Sequence, residues 1–175
     1  ATDQHAAGII MMSAVAGGKV TKALQEIQIP VVLMNRLIPH FKTDAVVVDN
    51  FAGGYRATKY LIDLGHRKIF HLAGFKKSSA SLGRLEGFLK AMSDAGLEVP
   101  DGAVEQGDLR MESGQLVGNR LVDEGLRYTA VFAANDLMAI GLMDAFANRG
   151  IQVPNDISVI GFDDIAYSRL PHIWL

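Results

Sequence analysis

Apolar residues come in short unbroken runs, at positions 8–12, 31–34, 45–48, 69–73, 130–134 and 157–160, with a weaker run near 103–105. Most of these runs do not alternate polar with apolar. Strands buried on both faces read this way, as in a parallel sheet covered by helices. Between the runs the spacing changes to that of helices. Ala57, Tyr60, Leu61 and Leu64 follow i, i+3, i+4, i+7, and so do Leu85, Phe88, Leu89 and Met92. Each set predicts one apolar stripe laid against a sheet. The helical patterns stop at Gly65, Gly96, Gly125 and Gly150. Such stops favour a left-handed residue just past a helix end, and they recur about every 30 residues, the size of a βαβ unit. The fold class read from this pattern is α/β with mostly parallel strands.

Composition narrows the function. The 175 residues are 49% hydrophobic, so a sizeable core is expected. The formal net charge is -2, and the basic clusters His66-Arg67-Lys68 and Lys76-Lys77 are too short to form a phosphate-binding surface. These residues are therefore not expected to contact nucleic acid themselves. The absence of cysteine excludes disulfides, thiolate metal sites and a cysteine nucleophile. It fits a reducing compartment. No apolar run approaches the roughly 20 residues of a membrane span, so no membrane partner is expected.

The chemistry lies at the strand ends. Ser13 follows the first run, Asn35-Arg36 the second and Asp49-Asn50 the third. Gly74 and "FKKSSASLGR" follow the fourth, then come Asp108, Asn135-Asp136 and Asp163-Asp164. A parallel sheet brings all these ends to one edge, where open α/β sheets bind ligands. Carboxylates, amides, hydroxyls and one or two guanidiniums suit a neutral ligand rich in hydroxyl or amide groups, such as a sugar. They suit a phosphorylated ligand less well, since the carboxylates repel phosphate and neither a Walker loop nor GxGxxG is present.

Structural roles compete at each position. Asp136 reads as a helix cap or a ligand contact. Arg84, one turn inside a helix, reads as a solvated side chain or a ligand clamp. Asp49-Asn50 reads as a plain turn, and Asp163-Asp164 as a turn or a hinge. Asp49, Asp136 and Asp163 are candidates for a glycosidase pair, which needs two carboxylates about 5–10 Å apart. GxSxG is absent, so no hydrolase elbow is indicated. His66 reads as a loop residue and His71 as a core histidine, with no third ligand for a metal. No cofactor is expected.

Several stretches together resemble the LacI/GalR family of bacterial regulators. "VVVDNFAGGYRATKYLIDLGHRKI" resembles the family's crossing into its second lobe, and "GFKKSSASLGRLEGFLKAM" its glycine-loop-arginine helix. "AVFAANDLMAIGLMDAF" and "GIQVPNDISVIGFDD" are similar to further family segments. The resemblance runs from about Gly8 to the end. It implies a periplasmic-binding-protein-like (type I) fold of two doubly wound parallel-sheet lobes, the first incomplete in this chain. Residues 1–50 are then part of the N-terminal lobe, 51–170 the C-terminal lobe, and 171–175 the start of the return crossing. It implies a cytoplasmic transcriptional regulator, not an enzyme, working as a homodimer. Operator DNA would be bound through an N-terminal helix-turn-helix domain absent here. A small-molecule effector between the lobes would shift operator affinity.

Carried over position by position, the resemblance makes Asp49, Ser78, Arg84 and Asp136 effector contacts, with Asp136 serving as both cap and contact. Arg36 and Leu109 join the ligand-binding set as departures. Leu109 stands where several members place a stacking aromatic, and Arg36 where the purine repressor has one. Ala80 replaces a hydroxyl. Loss of the aromatic at Arg36 argues against a flat nucleobase, and Arg36 with Asp49 and Asp136 argues for a sugar or polyol. The competing reading is a periplasmic sugar-binding protein of a transport system. The helix beginning at Asp136 is apolar on more than one face, which predicts either a dimer surface or full burial.

Overall fold

The apolar runs form seven short strands joined by helices in a computed structural model that describes residues 6–12, 18–171, 173 and 175. Strands β1 (Ile9–Met11), β2 (Val31–Met34) and β3 (Asp44–Val46) make one parallel sheet in the order β1-β2-β3, with α1 (Gly18–Gln25) between the first two. Helix α2 (Asn50–Asp63) leads out of it. The second sheet takes β4 (Ile69–Ala73), β5 (Val104–Gln106), β6 (Ala130–Ala133) and β7 (Ser158–Ile160) in the order β5-β4-β6-β7, all parallel. Helices α3 (Ser79–Asp94), α4 (Met111–Asp123) and α5 (Asp136–Asn148) connect these strands, and a short 3-10 turn (Ala166–Arg169) follows the last. Ser13, expected at the end of β1, lies outside the described residues.

The second sheet is buried on both faces, as its unbroken apolar strands require. Ile69, Ala130 and Phe132 pack with Leu61 of α2 and with Phe88 and Met92 of α3. Phe70, Leu72, Val131 and Ala133 point the other way, onto Val117 and Leu121 of α4 and Met138, Leu142 and Phe146 of α5. A fully buried side chain of this size contributes roughly 1.5–3 kcal/mol. His71 shares the first face, stacked between Phe88 and Phe132 at ring-centroid distances of 5.0 and 4.6 Å, which makes it the core histidine expected from the sequence.

All four glycine stops end helices. Gly65 has φ +98°, its amide bonds to the Ile62 carbonyl, and the His66 amide reaches back to Leu61. This double bond satisfies carbonyls that the helix leaves open. Gly96, Gly125 and Gly150 repeat the same pair of bonds.

Two expectations need correction. Leu61, Phe88 and Met92 are buried and Ala57 and Leu85 pack against them, but Tyr60 and Leu64 are each 59% exposed and Leu89 is also exposed, so the predicted stripes are only partly the buried faces. Helix α2 buries Gly54 and Thr58 beside Leu61, because it packs on α3 as well as on the sheet. Glycines let the two backbones approach: a Cβ at Gly54 would lie 2.8 Å from Arg84 Cα, and one at Gly87 would overlap the Phe51 carbonyl. Second, the run 45–48 is an exposed edge, not a buried strand, with Val46 64% exposed. Of the two readings of α5, burial is the one observed. Met138, Ile140, Leu142 and Phe146 are all buried, and Gly114 and Gly141 bring α4 and α5 together as glycines do for α2 and α3. The apolar faces of α5 are therefore not a free dimer surface.

Candidate functional site

The strand order places the site. From β4 the chain moves outward to β5, and from β6 it moves outward to β7 on the other side. Adjacent strands whose connections diverge leave a crevice beyond their carboxyl ends, the topological switch point of an open α/β sheet. The residues leaving β4 and β6 there are Gly74 and Ala134-Asn135-Asp136.

Arg84 lies across this crevice, only 6% exposed, rather than in solvent. Its Nε donates to Asn50 Oδ1 at 2.9 Å, Nη1 donates to the Ala134 carbonyl, and Nη2 meets Asp163 Oδ1 at 3.3 Å. The guanidinium carbon sits 3.7 Å from the centre of the Phe162 ring, a cation–π contact. One side chain thus joins the start of α2, the end of β6 and the loop after β7. Burial pulls the Arg84 guanidinium below its usual pKa, and the Asp163 charge opposes that. Burial likewise raises Asp163, while Arg84 holds it down.

Asp136 is 2% exposed, and its Oδ2 accepts from the Ile165 amide at 2.8 Å. It is not the cap of α5. Asn135 is, since its Oδ1 accepts from the Met138 amide at 3.1 Å while its Nδ2 donates to the Leu109 carbonyl at 3.0 Å. The carboxylate is free of capping because the amide one residue earlier already performs it. A cavity of about 330 Å³ opens beside Asp136, lined also by Phe162, Asp163, Asp164 and Ser168.

The other predicted residues divide. Asp49 is exposed and caps α2, accepting from the Ala52 amide at 2.9 Å. Ser78 is 1% exposed, with its hydroxyl accepting from the Ser81 amide as the cap of α3, and Ala80 is buried beside it. Arg36 follows β2 and is half-buried, with no partner for its Nε among the described residues. Its charge reaches Arg84. Leu109 is half-buried against the α4–α5 core. His66 sits in a loop as expected, bonded to Thr129 Oγ1 at 2.9 Å and Ser158 Oγ at 3.0 Å. Asn50 and Asp163, read from the sequence as strand-end polar residues but not as ligand contacts, join the site through Arg84, and Phe162 was not singled out. One signal was available for Asp163, a carboxylate directly after an apolar run.

Backbone strain collects at the same edge. Asn35, Leu109, Asp163 and Asp164 have φ of 64°, 66°, 112° and 53°, and each follows a strand. Such conformations cost about 1–3 kcal/mol in non-glycine residues and cluster at ligand sites. Among the described residues no His, Asp and Glu cluster could hold a metal ion. No described helix is long and apolar enough to cross a membrane.

Comparison with known proteins agrees with this geometry. The profile of the periplasmic binding protein-like domain matches residues 58–175. The HTH-type transcriptional repressor PurR of Salmonella paratyphi B is 42% identical over 127 residues, which are 73% of this chain and 37% of the repressor. The chain thus spans little more than a third of that curated relative. Among solved structures, the transcriptional regulator CelR in complex with cellobiose superposes with a TM-score of 0.85 at 34% identity, over 92% of this chain and 50% of CelR. A LacI-family sugar-binding regulator from Escherichia coli, complexed with phosphate, gives 0.80 at 30% identity, over 95% of this chain and 60% of its own. The names these relatives carry are those of regulators, not enzymes. The chain belongs to the periplasmic-binding-protein-like domain family, and within it to the effector-binding domains of the LacI/GalR group.

Proposed function

We propose that this chain senses the effector of a bacterial transcriptional repressor and that the effector is a small sugar or polyol. The observation that carries this reading is Arg84, buried at the switch point and tied to Asn50, Ala134 and Asp163 at once. A ligand contacting that guanidinium touches elements from both sides of the crevice, so binding biases their arrangement. Asp49, Asp136 and Arg36 add polar contacts at the same edge. Similarity to CelR, solved with cellobiose, supports a sugar, and 42% identity to PurR supports a repressor. The working protein is a homodimer that reaches operator DNA through a helix-turn-helix domain outside these 175 residues.

The test is thermal unfolding of the intact protein against pentoses, hexoses, disaccharides, polyols and nucleobases, with Arg84→Met and Asp136→Asn alongside. A ligand at 100 times its Kd adds about 2.7 kcal/mol of stability. A sugar-specific rise lost in both variants supports the reading. A rise with hypoxanthine or guanine alone overturns the sugar.

A further inference from the structure

We propose that the effector carries an acidic group, a carboxylate or a phosphate, received by Arg36; this rests on the effector-site reading above. Arg36 directly follows Asn35, whose φ of 64° turns the chain at the end of β2. The next residue, Leu37, donates its amide to Ser79 Oγ at 2.8 Å, in the first turn of α3. The loop carrying Arg36 is thereby pinned against the helix that carries Arg84. There the Arg36 Nε is shut off from solvent and finds no acceptor among the described residues. A buried donor left in that state is costly, and the cost is larger for a charged group.

The carboxylates predicted for the site each accept at least one hydrogen bond from the protein. Asp49 takes the Ala52 amide, Asp136 takes the Ile165 amide, and Asp163 takes Arg84. Each nitrogen of Arg84 already donates once, to Asn50, Ala134 and Asp163, leaving one N–H on each terminal nitrogen. Arg36 Nε is thus the donor of this edge that is closed to solvent and has no acceptor among the described residues. A hydroxyl would satisfy its hydrogen bond. An anion would also offset the repulsion between Arg36 and Arg84, whose charges sense each other, and guanidinium binds carboxylate and phosphate through paired donors. The effector class is therefore an acidic sugar: an aldonate, a uronate or a sugar phosphate.

The experiment is calorimetric titration of the intact protein with gluconate, galacturonate and cellobionate, with glucose 6-phosphate, and with glucose, galactose, cellobiose and glucitol. The first two arms separate carboxylate from phosphate. We expect one acidic sugar to bind at least about tenfold more tightly than its neutral parent. Arg36→Met should weaken it roughly ten- to a hundredfold, the loss of one charge-assisted contact. Arg36→Lys should recover part of that loss, and the unfolding midpoint of ligand-free Arg36→Met should not fall, because no protein partner of the Nε is lost, which separates recognition from misfolding. A neutral parent binding as tightly as its acid, or full acid affinity in Arg36→Met, rejects the acidic group and leaves the effector reading standing. No binding by any compound removes both.

Discussion

Gly54 of α2 lies against the backbone of Arg84 so closely that any side chain there would displace α3, with a Cβ 2.8 Å from Arg84 Cα. The position of the buried guanidinium is thus set by a residue with no functional group. Gly54→Ala should cost about 1–3 kcal/mol through overpacking. Denaturant titration measures that loss. Ligand affinity should fall with it, because α3 cannot yield without moving Arg84. An unchanged midpoint would mean the helices are not this close.

Removal of Arg84 and removal of its carboxylate partner should have unequal effects. Arg84→Met leaves Asn50 Oδ1 and the Ala134 carbonyl without their donor. We expect a loss of roughly 2–4 kcal/mol, with ligand binding abolished. The Asp163 side chain is 41% exposed, so water replaces much of what the pair supplies. Asp163→Asn should cost under about 1 kcal/mol. Parallel unfolding curves of the two variants decide the point, and equal losses would contradict the geometry.

The neighbours Asn135 and Asp136 should separate stability from binding. Asn135→Ala removes the cap of α5 and should cost about 1 kcal/mol, seen as an earlier urea midpoint. Asp136→Asn keeps an oxygen for the Ile165 amide. It should unfold near the wild-type midpoint yet lose ligand affinity, as read by calorimetry.

Acid should expose His71. Burial between two phenylalanines pushes its pKa down from 6.5 to about 4, with Arg84 adding in the same direction and the bond to the Phe132 carbonyl opposing. The unfolded chain takes up the proton first, so this contribution to stability is complete above about pH 6.5. It is lost as pH falls towards 4. The loss is on the order of 3 kcal/mol for a shift of this size. His71→Phe should flatten the stability profile in that window. A profile as steep as the wild type would assign the acid sensitivity to other groups.

The strands, the glycine helix ends and the polar edge were legible in the sequence because each is local. An unbroken run such as 69–73 and a stop such as Gly65 carry their own signal. The buried helix faces were less legible, since an apolar stripe shows what is available to bury and not what the neighbour is. Tyr60 and Leu64 read as core until α3 occupies the glycine face of α2 instead. At the site, Asp136, Arg36, Asn50 and Asp163 were visible as polar residues near strand ends. The parts that Asn50 and Asp163 play were not, because they arise from Arg84 reaching 34 residues back and 79 forward. The capping of α5 was misplaced by one residue, since Asn135 and Asp136 both accept amide protons and only geometry chooses between them.

The polar side chains of the crevice come from strand–helix junctions and helix first turns, while the strands contribute apolar packing. Such a division separates what an ancestor must keep from what a descendant can alter. A substitution at Arg36 touches the polar edge without entering the layers that hold the fold together. New ligand preferences can therefore arise by single changes on an unchanged frame. Arg84 is the exception, because the same guanidinium ties three elements together; a lineage that changes its effector is expected to retain it.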